Sequence, residues 1–167
     1  MLALRLESRR ATRHLAAAVA TTLSAGDVVW LEGELGAGKT FFTRGLLRAL
    51  GVPSVIPVTS PTFALMHEHE GRAQIRHLDL YRLSDTDELT ELGLGEAMDS
   101  AIVVIEWGAR FRDAIGARGI EVTLEPLEGP KGRAAAVRAL DSRGEAQLVK
   151  IAEDPHVARR ALHGPQG

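Results

Sequence analysis

Asp27-Val28-Val29-Trp30-Leu31-Glu32 runs straight into Gly33-Glu34-Leu35-Gly36-Ala37-Gly38-Lys39-Thr40, and that into Phe41-Phe42-Thr43-Arg44-Gly45-Leu46-Leu47-Arg48-Ala49-Leu50-Gly51. The first segment is a near-continuous apolar run, the mark of a strand buried on both faces. The last is a helix from about Lys39 to Leu50, ended by Gly51 and Pro53. Between them stands the pattern G-x-x-x-x-G-K-[ST]. Its glycines let the backbone turn successive N–H groups inward, toward phosphate oxygens. The helix behind it adds unpaired N–H groups and the positive end of its dipole. Lys39 offers a point charge to β- and γ-phosphates, and the Thr40 hydroxyl is a ligand for Mg²⁺. Gly33, Glu34, Leu35, Gly36, Ala37, Gly38, Lys39 and Thr40 are therefore the expected nucleotide-binding residues. Strand, glycine-rich turn and helix come in the order a phosphate-binding loop needs, which a surface turn with a chance lysine does not require.

Two acids lie outward from the loop. Asp79 closes an extended stretch with Ile75 and Leu78, and Glu106 closes Ala101-Ile102-Val103-Val104-Ile105. Ligands of parallel α/β sheets gather at the carboxyl ends of strands. An acid there is placed where Thr40 and a γ-phosphate would be, so Asp79 and Glu106 join Thr40 as candidate metal ligands and Lys39 as candidate catalytic groups. Spacing leaves open which acid touches the metal directly. Each has a plainer reading: Asp79 paired with Arg82, Glu106 capping a helix that starts near Gly108. Thr62 lies in a loop that could reach the γ-phosphate. His77 could be a base or a structural ring, and Trp107 could stack on a partner or fill space under Glu106. Arg159 and Arg160 read as a solvated face.

The remaining chain supplies the frame. Ala3 to Glu7 reads as a strand, and Ser8 caps a helix to about Ser24. Val55 to Val58 is a possible short strand. Ala64 to His69 and Gln74 to Leu80 pair as a hairpin across Glu70-Gly71-Arg72. Ser84 to Glu91 is a polar helix with Ser84 as its cap, and Gly93 and Gly95 mark a loop or short helix. Gly108 to Ala114 is a short helix. Ile120 to Glu125 and Ala134 to Leu140 are two strands around Glu128-Gly129-Pro130-Lys131-Gly132. This predicts a P-loop NTPase-like α/β three-layer sandwich with a mainly parallel, partly mixed central sheet. Residues 1–150 form the single domain, and 151–167 form a tail with a possible short helix and a frayed Gly/Pro end.

Composition narrows the function. The 167 residues suit one core, and a net charge of −2 gives no support to a strongly basic nucleic-acid surface. Without cysteine, disulfides, thiolate metal sites and cysteine nucleophiles are excluded. Without asparagine, the Asn-Lys-x-Asp motif that reads guanine is absent, which points from GTP toward ATP. Arg9, Arg10 and Arg13 before Leu15 to Val19 loosely mimic a signal peptide. Leu15, Val19 and Leu23 recur every fourth residue, so the run reads better as an amphipathic helix. No run has the length of a membrane span, and a triphosphate site belongs in the cytoplasm. A small-molecule P-loop kinase is the alternative to an ATPase. Such kinases close an Arg-bearing lid over the phosphates, and no compact Arg-rich segment stands out between Gly51 and Glu106.

GELGAGKTFFTRGLLRALG, SPTF, HLDLYRL and IEW follow one another in this order. Together they resemble the bacterial TsaE (YjeE) family, P-loop ATPase subunits of tRNA threonylcarbamoyladenosine biosynthesis. The resemblance covers roughly Ser8 to Trp107 and continues faintly to about Leu148. It implies ATP and Mg²⁺ as ligands. Lys39 and Thr40 match the family's phosphate and Mg²⁺ residues, Asp79 and Glu106 its acidic pair, and Thr62 of SPTF its switch-like loop. Thr12 and Arg133 stand where the family has residues near the nucleotide base. The family acts on a complex of the TsaB and TsaD proteins. Its weak ATP hydrolysis, stimulated by these partners, is thought to reset that complex between rounds of modification at adenosine 37 of tRNA. The subunit itself does not transfer the threonylcarbamoyl group, and tRNA is engaged indirectly. The family often has Tyr where this chain has His69, and Arg110 to Pro130 and the tail beyond Lys150 match no pattern.

Overall fold

The computed structural model describes residues 1–127 and 132–162, except for the side chains of Glu96 and Ala97. Its centre is a seven-stranded sheet in the order β1-β7-β6-β2-β5-β4-β3. The strands are β1 (Leu2–Leu6), β2 (Val28–Glu32), β3 (Met66–Glu70), β4 (Gln74–Asp79), β5 (Ile102–Glu106), β6 (Ile120–Pro126) and β7 (Arg133–Ala139). The middle four, β6-β2-β5-β4, are parallel. Antiparallel pairs β1–β7, β6–β7 and β3–β4 complete the sheet toward both edges. The mixed α/β sandwich expected from the sequence is therefore the fold observed.

Helices cover both faces. On one lie α1 (Arg9–Thr21), α2 (Lys39–Ala49), α6 (Ser142–Glu153) and α7 (Pro155–Ala158), packed by Leu15, Val19, Phe42, Leu46, Ile151 and Val157 against Val29, Leu31, Val104 and Val122. On the other lie α3 (Thr86–Glu91), α4 (Leu94–Ser100) and α5 (Arg112–Ile115), the last preceded by a 3-10 turn at Ala109–Phe111. There Leu89, Met98 and Phe111 meet Trp30, Val103 and Ile105. Strand residues alternate between the two cores because side chains alternate across a pleated sheet. Among the described residues, no helix is long and apolar enough to cross a membrane.

Two local expectations need correction. Val55 to Val58 is not a strand. Two arginines of α2 take up the carbonyls that a ladder would have used: Arg48 donates to Pro53 O and Ile56 O, and Arg44 to Val58 O. The cap of α3 is Asp85, not Ser84, since the Asp85 carboxylate accepts from the Asp87 and Glu88 amides at 3.0 Å each. The Ser84 amide instead donates to Glu88 Oε2 at 2.7 Å. Gly93 and Gly95 flank the start of the seven-residue helix α4. Ser8 does cap α1, accepting from the Ala11 amide at 3.1 Å. The turn expected at Glu128-Gly129-Pro130-Lys131 and the Gly/Pro end after Leu162 lie outside the described residues. Helix α6 runs through position 150, and the chain then bonds back to β1 through Arg5 N to Arg160 O and Leu162 N to Ala3 O.

Candidate functional site

The glycine-rich loop joins β2 to α2, and its shape follows from close backbone approach. A Cβ on Gly33 would stand 2.3 Å from Leu124 O of β6, and Gly33 has φ 139. Gly38, the residue before the first turn of α2, has φ 107. Both positions exclude a side chain at low cost. Glu34, Leu35 and Gly36 are exposed at the loop's tip, and Ala37 is buried beneath it. The loop therefore presents the first amides of α2 and its dipole end at the carboxyl edge of the sheet.

Lys39 is only 5% exposed. Its Nζ donates to Gly33 O at 2.6 Å and Glu34 O at 3.0 Å, and lies 3.7 Å from the centre of the Trp107 ring. Burial pulls its ammonium below the ordinary lysine range, opposed by the charges of Glu106, Glu32 and Asp79. The cation thus sits within reach of three acids from three adjacent strands, β2, β5 and β4.

Glu106 and Asp79 are register partners at the ends of β5 and β4. Both point to the face that carries α2. Glu106 is 2% exposed. Its Oε2 lies 3.5 Å from the Thr40 hydroxyl, and its Oε1 accepts from Thr43 Oγ1 at 3.1 Å and lies 2.8 Å from His77 Nε2. Asp79 collects the SPTF loop: its Oδ2 accepts from Thr62 Oγ1 at 2.9 Å and from the Ser60 hydroxyl, while Oδ1 accepts from the Tyr81 amide at 3.0 Å. No ion pair joins Asp79 to Arg82, whose guanidinium lies over the Phe63 ring. Nor does Glu106 cap the turn at Gly108.

The outlying candidates divide. Arg133 reaches the loop, donating from Nε to Ala37 O at 2.6 Å. Thr12 lies inside α1, 4% exposed, with its hydroxyl 3.5 Å from Ser8 O.

Sequence reasoning passed over Glu32, Thr43 and Ser60. Glu32 ends β2 as Asp79 and Glu106 end their strands, so the rule that found those two applied to it equally. It faces the opposite side of the sheet, beside Trp30. Burial pushes its carboxyl above the usual range, against the pull of the Ala109 amide, Arg112, the Gly108 amide and Lys39. Thr43 is one helical turn beyond Thr40, hence on the same face of α2.

The donor set at the loop suits a hard, oxygen-seeking cation: a hydroxyl and two carboxylates, with no sulfur and no imidazole facing Thr40 among the described residues. Together the α/β sandwich, the loop and these strand-end acids define a P-loop protein. The family model for "Threonylcarbamoyl adenosine biosynthesis protein TsaE" matches residues 6–134. A protein of Rickettsia conorii called tRNA threonylcarbamoyladenosine biosynthesis protein TsaE is 34% identical, over 89% of this chain and 86% of its own. One of the same name from Mycobacterium tuberculosis is 37% identical, over 74% of this chain and 79% of its own. The crystal structure of Bacillus subtilis YdiB superposes with a TM-score of 0.76 at 25% identity, covering 91% of this chain and 96% of that one. The chain belongs to the TsaE family.

Proposed function

We propose that this chain is the Mg²⁺-dependent, ATP-hydrolysing subunit of tRNA threonylcarbamoyladenosine biosynthesis. In this reading it works in the cytoplasm on a TsaB–TsaD complex and does not itself transfer the threonylcarbamoyl group. The observation that carries the proposal is the convergence of Lys39, Thr40, Glu106 and Asp79 at the ends of three adjacent parallel strands. Family membership supplies the pathway, through the names its relatives bear.

Lys39 and the α2 amides bind the β- and γ-phosphates. Lys39 holds Gly33 O and Glu34 O with two of its three donors, which leaves one to turn to the phosphates. Thr40, Asp79 and Glu106 would hold Mg²⁺, which when bound offsets the negative charge of the phosphates. In this reading Glu106 orients a water, and Asp79 ties Ser60 and Thr62 of the SPTF loop to the same centre. Arg133 steadies the loop from β7.

The test is ATP turnover by the purified chain with and without TsaB and TsaD, alongside tRNA modification by the mixture. Turnover should be slow alone and faster with the partners. Glu106→Gln should lower turnover by roughly 10²–10⁴-fold and stop modification, the range usual for a lost acid–base or positioning group. Turnover that ignores the partners, or modification that survives Glu106→Gln, counts against the proposal. A phosphorylated metabolite formed in step with ADP would establish a small-molecule kinase instead.

A further inference from the structure

We infer that His77 is a positioning residue for Glu106: it occupies one carboxylate oxygen so that the other alone faces the phosphate loop. This rests on the hydrolysis reading above. Glu106 Oε1 accepts from two donors, His77 Nε2 at 2.8 Å and Thr43 Oγ1 at 3.1 Å, while Oε2 turns to Thr40 at 3.5 Å. Both donors are fully buried. We assign Nε2 as the donor in this contact, since the oxygen it meets already accepts from Thr43. The other ring nitrogen, Nδ1, has no partner among the described residues.

That orphaned nitrogen is the second sign of function. If the position served packing alone, a leucine would fill it without burying an unpaired polar atom, which costs on the order of 1–3 kcal/mol. The ring is kept for what its other nitrogen does. His77 also sits two residues before Asp79 on the same face of β4, opposite Val104 in the register that sets Asp79 opposite Glu106. One strand therefore carries Asp79 itself and holds Glu106 in place on its neighbour. Catalytic groups must be held within about 0.5 Å of their working position, and two donors on one oxygen remove the rotation that would spoil it.

The test compares His77→Leu, His77→Gln and Thr43→Val in the full chain, assayed with TsaB and TsaD. It reads kcat and KM for ATP, and Kd for a non-hydrolysable ATP analogue with Mg²⁺. His77→Leu should lower kcat about ten- to a hundredfold, as losses of supporting hydrogen bonds do, with KM and analogue Kd within about twofold of wild type. The Gln amide can donate to the same oxygen, so His77→Gln should recover most of the loss. Thr43→Val, which removes the other donor, should also lower kcat with Kd unchanged. In a Glu106→Gln background, His77→Leu should cost little more, because the two residues act as one unit. The ring itself is read by ¹⁵N NMR: an Nε2-protonated tautomer whose signals move in Glu106→Gln. Wild-type kcat in His77→Leu, a Gln variant as impaired as Leu, or an Nδ1-protonated ring overturns the inference. If His77→Leu does not fold, wild-type kcat in Thr43→Val does the same. If the wild-type chain does not hydrolyse ATP with its partners, the hydrolysis reading fails first and takes the inference with it.

Discussion

Trp107 has an unusual backbone for a large residue, φ 61, in the left-handed region. Such a conformation costs of order 1 kcal/mol or more, and it persists only where surroundings hold it. Here its amide bonds to Leu31 O, its ring packs 4.9 Å from Tyr81, and Lys39 Nζ sits on its face. In the function proposed above, triphosphate competes with Trp107 for Lys39, so binding should change the environment of this indole. The chain's other tryptophan, Trp30, is fully buried and bonded through Nε1 to Arg118 O, far less free to respond. Tryptophan emission should therefore shift on titration with Mg²⁺-ATP, and Trp107→Phe should abolish the shift while leaving the Trp30 signal. A shift that persists in Trp107→Phe sinks this account. The sequence showed Lys39, Thr40, Asp79 and Glu106 because motif spacing and strand ends mark them. It did not show Thr43 or the two faces on which Glu32 and Glu106 lie, because those depend on which strand end meets which helix turn.

Elements were most legible where local chemistry and burial agree. The apolar run Val28 to Leu31 and the glycines after it need no neighbour to be read. Ser8 was legible for the same reason: its hydroxyl satisfies an amide of its own helix. Ser8→Ala should destabilise the chain by about 1 kcal/mol, the usual worth of an N-cap, read as a lower denaturant midpoint with an unchanged m-value. An unchanged midpoint would show that water replaces the cap at no cost. Legibility failed where tertiary groups decide. Val55 to Val58 has strand composition, yet Arg44 and Arg48 claim its carbonyls. Ser84 and Asp85 are both good caps, and only backbone geometry chooses between them. Gly33 looked like a generic turn glycine. The reason it must be glycine, Leu124 O at 2.3 Å from a Cβ, comes from a strand some 90 residues away. Gly33→Ala should therefore abolish nucleotide binding by displacing the loop or β6, with loss of thermal stability as the companion reading. An Ala variant that binds ATP normally would show that the approach relaxes freely.

At the scale of the molecule, the site exists because β2, β5 and β4 lie side by side and end together, an order that local pattern cannot supply. The frame is closed far from the loop by a second long-range contact. Arg143 of α6 donates to both oxygens of Asp27, at 3.0 and 2.9 Å, where the chain enters β2, and it reaches the Ser24 hydroxyl at 3.2 Å. Asp27 is 6% exposed. Its burial alone would raise the carboxyl's pKa, but Arg143 and the Ser24 amide outweigh that and hold it below the usual range. A carboxyl depressed in the folded state stabilises that state above its unfolded pKa, and the contribution is lost as pH falls through the folded value. Asp27→Asn should therefore lower Tm at pH 7, and the gap to wild type should begin to close below about pH 4, the ordinary aspartate range. High salt should narrow the gap at pH 7, because the Arg143 side chain is half exposed and its charge is open to screening. A gap of equal size at pH 7 and at pH 2 would mean that Asp27 acts through packing rather than charge. The same strand that Asp27 starts ends at Glu32 and the loop. Loosening its entry should lower stability before it touches nucleotide affinity, so analogue Kd in Asp27→Asn should match wild type at temperatures where both are folded.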